Sequence, residues 1–268
     1  MTYHEIFEKL WTVYTAQNPS SRKVYELLSA EGESIINDHV AFRTYDHPQI
    51  NIGVLSKTFI DCGYEFIGDY TFTEKKLYAK HFEHKDDRLA PRVFISQLKT
   101  AEFSPFMQKT ISEWIAAIPS EKISSPGLIY AGNLSGAPSF EVYEKLRAES
   151  EYAAWLYVNG FCANHFTVSV NSLKKFDSVG RVNEFLKKNG FLMNDAGGEI
   201  QGTPAELLEQ SSIRAGMVKT QFTEGMFEVP GCYYEFALRY PDHDGRLYSG
   251  FIAKSADKIF QSTDYYKR

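Results

Sequence analysis

Cysteine is scarce in this 268-residue chain: Cys62, Cys162 and Cys232 are its only three. An odd count, wide spacing and no CxxC pair leave no disulfide framework and no cysteine-built zinc site. A reducing setting follows, and the expected location is cytoplasmic. Basic charge is short as well. Against 34 Asp and Glu stand 29 Lys and Arg, for a formal net charge of −5. No positive field is available to draw a phosphate backbone, so no nucleic-acid partner is expected. No apolar run approaches the roughly 18 residues of a membrane span. The opening MTYHEIFEKLWTVY sets Glu5 and Glu8 inside its apolar pattern, unlike a secretory signal. A soluble chain with no membrane partner is therefore expected. GxSxG is missing, and the glycines of GDY, AGG and SGAP do not make a phosphate loop. A serine hydrolase is thus excluded as a leading reading.

What is present is a foldable, aromatic-rich composition. Hydrophobic residues make up 43% and charged residues 24%, enough for a packed core. Aromatics reach 15%, which fits either a β-rich core or an aromatic-lined pocket. The spacing of Ile6, Leu10 and Tyr14 predicts an amphipathic helix over 3–16, and a second helix is predicted over 22–30 after Pro19-Ser20-Ser21. INDHVAFRTY reads as a strand, 51–62 as a helix ending at Gly63, and YEFIGDYTF, KLYAKHFEH and PRVFISQL as strands. Residues 101–158 read as mostly helical, with SSPGLIYAGNLSGAPS as a loop between two helices. CANHFTVSVN is again a strand, followed by a helix ending at Asn189-Gly190 and by strands around MVKTQFTEG and CYYEFALRY.

The element order repeats. Residues 30–100 and 159–255 each read β-α-β-β-β, with a helical insertion at 101–158 between them. The expected fold is α+β: duplicated β-α-β-β-β modules forming one curved mixed sheet around a central metal cavity, with added helices, in a single domain over 1–268. Equivalent first strands would then bring His39 and His165 to one cavity.

Alternation along three strands locates the chemistry, because side chains at i, i+2 and i+4 share a face. DHVAFRT puts His39, Ala41 and Arg43 on one face; NHFTVSV puts His165, Thr167 and Ser169; YYEFALRY puts Glu235, Ala237 and Arg239. The opposite faces are apolar. A solvated face would carry Lys, Glu and Thr, whereas small residues beside His, Glu and Arg suit a lined cavity. Two imidazoles and a carboxylate form the facial triad that suits ferrous iron and leaves about three coordination positions open. Arg43 lies roughly 13 Å along its strand from His39. That reach suits the far carboxylate of a five- or six-carbon dicarboxylic acid, gripped by a planar fork.

Structural readings stand beside these. A lone strand histidine is more often a satisfied structural residue, whereas a buried Glu235 needs a partner or a metal. Arg239 could meet substrate or hold an internal ion pair. His81 and His84, in the charged KHFEHKDD, read as surface residues, with Glu83 a minor fourth-ligand candidate; His47 and His243 read as loop residues. PDHDG lacks the spacing of a calcium loop.

At NDHVAFRT, ANHFTVSVN and GCYYEFALR the chain resembles the 2-oxoadipate dioxygenase/decarboxylases, a family related to the vicinal-oxygen-chelate, glyoxalase-like metalloenzymes. The likeness of motif order runs from about residue 30 to 255. It implies Fe(II) on His39, His165 and Glu235, substrate binding by Arg43, and oxidation of a 2-oxo dicarboxylic acid by O2 to a 2-hydroxy acid one carbon shorter, with loss of CO2. Some relatives are longer, so distal parts of the pocket differ. Glyoxalase-like sites often have a fourth ligand on the closing strand of the first half. PRVFISQL has no carboxylate there, Gln97 being the nearest polar residue, which favours a three-ligand oxygenase site. The alternative is a non-redox isomerase, lyase or hydrolase using Zn or Ni; a binding module without turnover is the third reading.

Overall fold

A computed structural model describes residues 1–263. Two helices open the chain, α1 (Tyr3–Gln17) and α2 (Pro19–Ala30). The first half follows as β1 (Asn37–Tyr45), α3 (Ile52–Ile60), β2 (Tyr64–Phe72), β3 (Leu77–His84) and β4 (Arg92–Leu98). Four helices come next: α4 (Pro105–Ala116), the single turn α5 (Ser120–Ile123), α6 (Phe140–Glu149) and α7 (Glu151–Asn159). The second half is β5 (Ala163–Ser169), α8 (Val179–Lys188), β6 (Gln201–Thr203), β7 (Leu208–Ser212), the hairpin β8 (Met217–Phe222) and β9 (Gly225–Pro230), and β10 (Tyr233–Arg239). Helix α9 (Ala253–Ile259) and a 3₁₀ turn, Phe260–Thr263, complete the described chain.

Eight strands form one mixed sheet in the order β2-β3-β4-β1-β5-β10-β7-β6. That order is symmetric about its centre. Within each half the first strand pairs parallel with the last, β1 with β4 and β5 with β10, and the two halves join through the antiparallel pair β1–β5. Each central strand is buried on both faces, as its composition requires. The outer face packs under helices: Phe42 meets Phe59 of α3, and Phe166 meets Trp11 and Tyr14 of α1. The inner, concave face holds the polar residues.

Local chemistry sets most boundaries. Thr2 closes a capping box on α1 with Glu5, and Ser104, Ser139 and Ser178 cap α4, α6 and α8. The run from Ser139 to Gly160 is two helices rather than one. Ser150 takes an extended conformation and its hydroxyl caps α7. A second difference lies in the other half. Its inner strands are β6 and β7, whereas MVKTQF belongs to the separate β8–β9 hairpin inserted before β10.

The carboxy-terminal described segment closes the concave face. Phe251 packs edge-on to His39 and against Phe94, Tyr70 and His81. Ser262 hydrogen-bonds Ser212 and Asn194, and Thr263 bonds Arg43 and Glu151.

Candidate metal centre

Strand register brings the three expected ligands together. His39 of β1 lies opposite Thr167 of β5, and Thr167 lies opposite Glu235 of β10. One step along, Ala41 lies opposite His165, which lies opposite Tyr233. Two adjacent rows on one face thus hold both imidazoles and the carboxylate. His39 Nε2 and His165 Nε2 are 3.4 Å apart, and the Glu235 oxygens lie 3.6 and 3.2 Å from them. Ligand atoms of all three residues fall within 4.8 Å of one another. The residues are 2%, 4% and 1% exposed.

Their neighbours fix which atoms face inward. His39 Nδ1 donates to Asp38 at 2.8 Å, which leaves a lone pair on Nε2, where the Thr167 hydroxyl donates at 3.0 Å. Asn164 holds His165 Nδ1 in the same way at 3.2 Å. Gln210 of β7 donates to Glu235. Partners of this kind orient ligand rings and set their basicity. Burial would raise the Asp38 carboxyl, but Arg239, His39 and Arg92 hold it well below the usual range. It is therefore a fixed anion.

Desolvation lowers His39, even against the Asp38 hydrogen bond, and lowers His165 further with help from His39 and Arg43. Both rings are neutral, as metal ligation needs. Desolvation pushes Glu235 up to about 8, with Gln210 pulling down and Asp38 pushing up. A buried carboxyl that resists ionisation, facing two imidazole lone pairs, is a donor set that fits a metal cation.

Other candidates take different places. Arg239 holds the internal ion pair of its two possible roles. It forks onto Asp38 at 2.7 and 2.9 Å and donates to the Tyr248 and Gly250 carbonyls, leaving one of its five donors. Arg43 lies on the cavity face, its guanidinium 4.9 Å from the ring centres of both Tyr152 and Trp155. It bonds Glu151 at 3.2 Å and Thr263 at 3.1 Å, and its Nε has no partner among the described residues. His84, the last residue of β3, is half-buried, but His81 is buried, bonding Tyr70 and Glu83, and so is no surface residue. Glu83 bonds His81 and Arg92, outside the triad. His47 and His243 lie outside it too; exposed His243, with Asp242 and Asp244, forms a separate acidic group.

The fourth-ligand position is also settled by register. Glu235 stands two residues beyond the partner of His165; the equivalent position, two beyond the partner of His39, is Phe94. Gln97 instead accepts from the Ile52 backbone N–H at the start of α3. Residue typing missed Asp38, Gln210 and Tyr233. Only Tyr233 carried a signal, as an i−2 neighbour of Glu235 on the same face.

Solved structures and known sequences resemble this chain over most of its length. A hydroxyglutarate synthase from Oryza sativa, solved in complex with 2-oxoadipate, is 31% identical with a TM-score of 0.92 over 98% of this chain and 92% of that one. A Shewanella frigidimarina protein, provisionally described as a hydrolase, is 46% identical with a TM-score of 0.88 over 93% of this chain and 97% of its own. A glyoxalase-superfamily protein of Ralstonia eutropha, 22% identical with a TM-score of 0.72 over 90% of this chain and 83% of that one, shares the fold. The chloroplastic 2-oxoadipate dioxygenase/decarboxylase of Arabidopsis thaliana is 33% identical over 287 residues, covering 97% of this chain and 77% of that protein. The model of the 2-oxoadipate dioxygenase/decarboxylase family matches residues 2–131 and 128–246, and the chain belongs to that family.

Proposed function

We propose that this protein is an Fe(II)-dependent dioxygenase/decarboxylase that converts a 2-oxo dicarboxylic acid, 2-oxoadipate, and O2 into 2-hydroxyglutarate and CO2. The observation that carries the reading is the buried triad His39, His165 and Glu235, with Phe94 where a fourth ligand would stand. His39, His165 and Glu235 would hold the ion, and three protein ligands would leave coordination positions open to the reactants. The bound iron would supply the one-electron chemistry that O2 requires. The chain supplies the rest. Asp38 and Asn164 hold the two rings in their ligating tautomers, and Gln210 aims the carboxylate. Arg43, its guanidinium beside Tyr152 and Trp155 and held by Glu151 and Thr263, offers its unpartnered Nε–H to the distal carboxylate of the substrate. Phe251, Phe94 and the carboxy-terminal turn keep water from the concave face. The reaction balances: both atoms of O2 enter products, and the carbon lost leaves as CO2.

A non-redox isomerase, lyase or hydrolase reaction on Zn or Ni is the competing reading, and the Shewanella frigidimarina protein is provisionally described as a hydrolase. An anaerobic preparation assayed for bound metal and then for oxygen uptake separates them. Oxygen consumption with 2-oxoadipate, matched by 2-hydroxyglutarate and CO2, is expected from the iron-loaded protein. Tight Zn binding with no oxygen uptake under iron would overturn the proposal. A cytoplasmic setting belongs to the same proposal and suits the free Cys62, Cys162 and Cys232.

A further inference from the structure

Two buried hydroxyls stand side by side in β10 on opposite faces of the sheet. Tyr233 and Tyr234 are both 0% exposed, and neither phenol oxygen has a partner among the described residues. Tyr234 points outward into the helical layer, against Trp11 and Tyr14. Tyr233 points to the concave face. It shares a row with Ala41 and His165, and its ring stacks on that of His165 with centroids 4.7 Å apart. That row lies between His39 and Arg43 along β1, at the small side chain of Ala41. Among charged groups, Glu235 and Arg43 act most strongly on the Tyr233 phenol, and Glu151 follows. Arg43 Nε is likewise buried with no partner among the described residues. Two buried donor groups, the Tyr233 phenol O–H and the Nε–H of Arg43, thus lie on the triad's face of the sheet with no acceptor among the described residues, while the other guanidinium nitrogens of Arg43 hold Glu151 and Thr263. Such groups cost free energy unless something meets them.

We infer that Tyr233 is a specificity-determining residue, its phenol donating a hydrogen bond to the distal carboxylate of the substrate alongside Arg43. This rests on the 2-oxo dicarboxylic acid reading above. The anion accepts from both donors, so a chain ending in methyl would leave both unmet.

The test is Tyr233→Phe in the metal-loaded protein, with Tyr234→Phe as the same chemical change on the other face. Binding of 2-oxoadipate and of 2-oxohexanoate, which has the same length and no distal carboxylate, is measured by anaerobic calorimetry, with melting temperatures alongside. Tyr233→Phe should weaken 2-oxoadipate about tenfold or more, the loss of a hydrogen bond to a charged group, and leave 2-oxohexanoate within about twofold. Its ligand-free melting temperature should hold or rise, since no internal bond is lost. Tyr234→Phe should bind both acids as the parent does. Unchanged 2-oxoadipate affinity in Tyr233→Phe, equal losses for both acids, or the same loss in Tyr234→Phe overturns the assignment. If the parent protein itself binds no 2-oxoadipate, the functional reading falls and takes this one with it.

Discussion

A carboxyl group 1% exposed between two neutral imidazoles has two ways to avoid a bare buried charge: it takes a proton or it meets a cation. Glu235 takes a proton when no cation is present, since burial lifts it to about 8. Metal must displace that proton, whereas His39 and His165 are already neutral and offer little competition. Apparent metal affinity should therefore climb as pH rises toward about 8 and level off above it. Calorimetry in buffers of different ionisation heat should show close to one proton released per ion at about pH 6.5, falling toward none at about pH 9. A flat affinity across that range would mean that Glu235 is not the proton-linked ligand. Arg43 calls for a different measurement. Arg43→Lys keeps a charge but loses the planar guanidinium, with its Nε–H, that lies beside Tyr152 and Trp155. We expect a loss of about 2 kcal/mol, some 30-fold in kcat/KM for 2-oxoadipate, at unchanged metal content. Near-normal kinetics in iron-loaded Arg43→Lys would remove Arg43 from substrate binding.

At the scale of elements, the backbone carries as much of the site as the side chains do. Gly160, at φ +63, turns the chain from α7 into β5 and so aims His165. A Cβ there would come within 2.2 Å of the Gly132 carbonyl oxygen, a backbone atom pinned by the Gly132–Phe161 hydrogen bonds. Gly160→Ala should cost on the order of 3 kcal/mol or more. Chemical denaturation reads the loss, and parent-like stability would show that the turn can relax. The triad was legible in the sequence because β1, β5 and β10 each alternate cleanly, with one ligand type on the small-residue face. Other parts were not. LEQSS in β7 has no β-branched run to mark a strand, so Gln210 went unseen while the better-patterned MVKTQF drew the assignment. His81 was hidden by its charged neighbours, although Leu77, Ala79 and His81 share a buried face of β3. Asp38 should point away from its neighbour His39. A register irregularity between Asn37 and His39 lets it reach the ring, and no residue type announces that. Placing Phe94 opposite the triad likewise needed strand register, which residue alternation leaves open.

The whole molecule is two half-sheets joined along β1–β5, and the ligands straddle that seam. His39 comes from the first half, His165 and Glu235 from the second. An ion held by all three is therefore a cross-link between halves, and its binding free energy becomes folding free energy for both. Free metal at about a hundred times its dissociation constant adds about 2.7 kcal/mol. For a chain of 268 residues that is a rise in melting temperature of about 5 °C. Because the seam runs through one continuous core, with Phe42 and Phe166 of the two halves buried in the same cluster, the rise should appear in a single cooperative transition. His39→Ala gives the sharpest test. It removes the only ligand contributed by the first half, so the metal-induced rise should vanish while the metal-free protein still unfolds in one step. Scanning calorimetry of parent and variant, with and without metal, decides the matter. If His39→Ala keeps the rise, the second half binds the ion alone. If the parent shows two transitions and metal moves only one, the halves are not linked through the site.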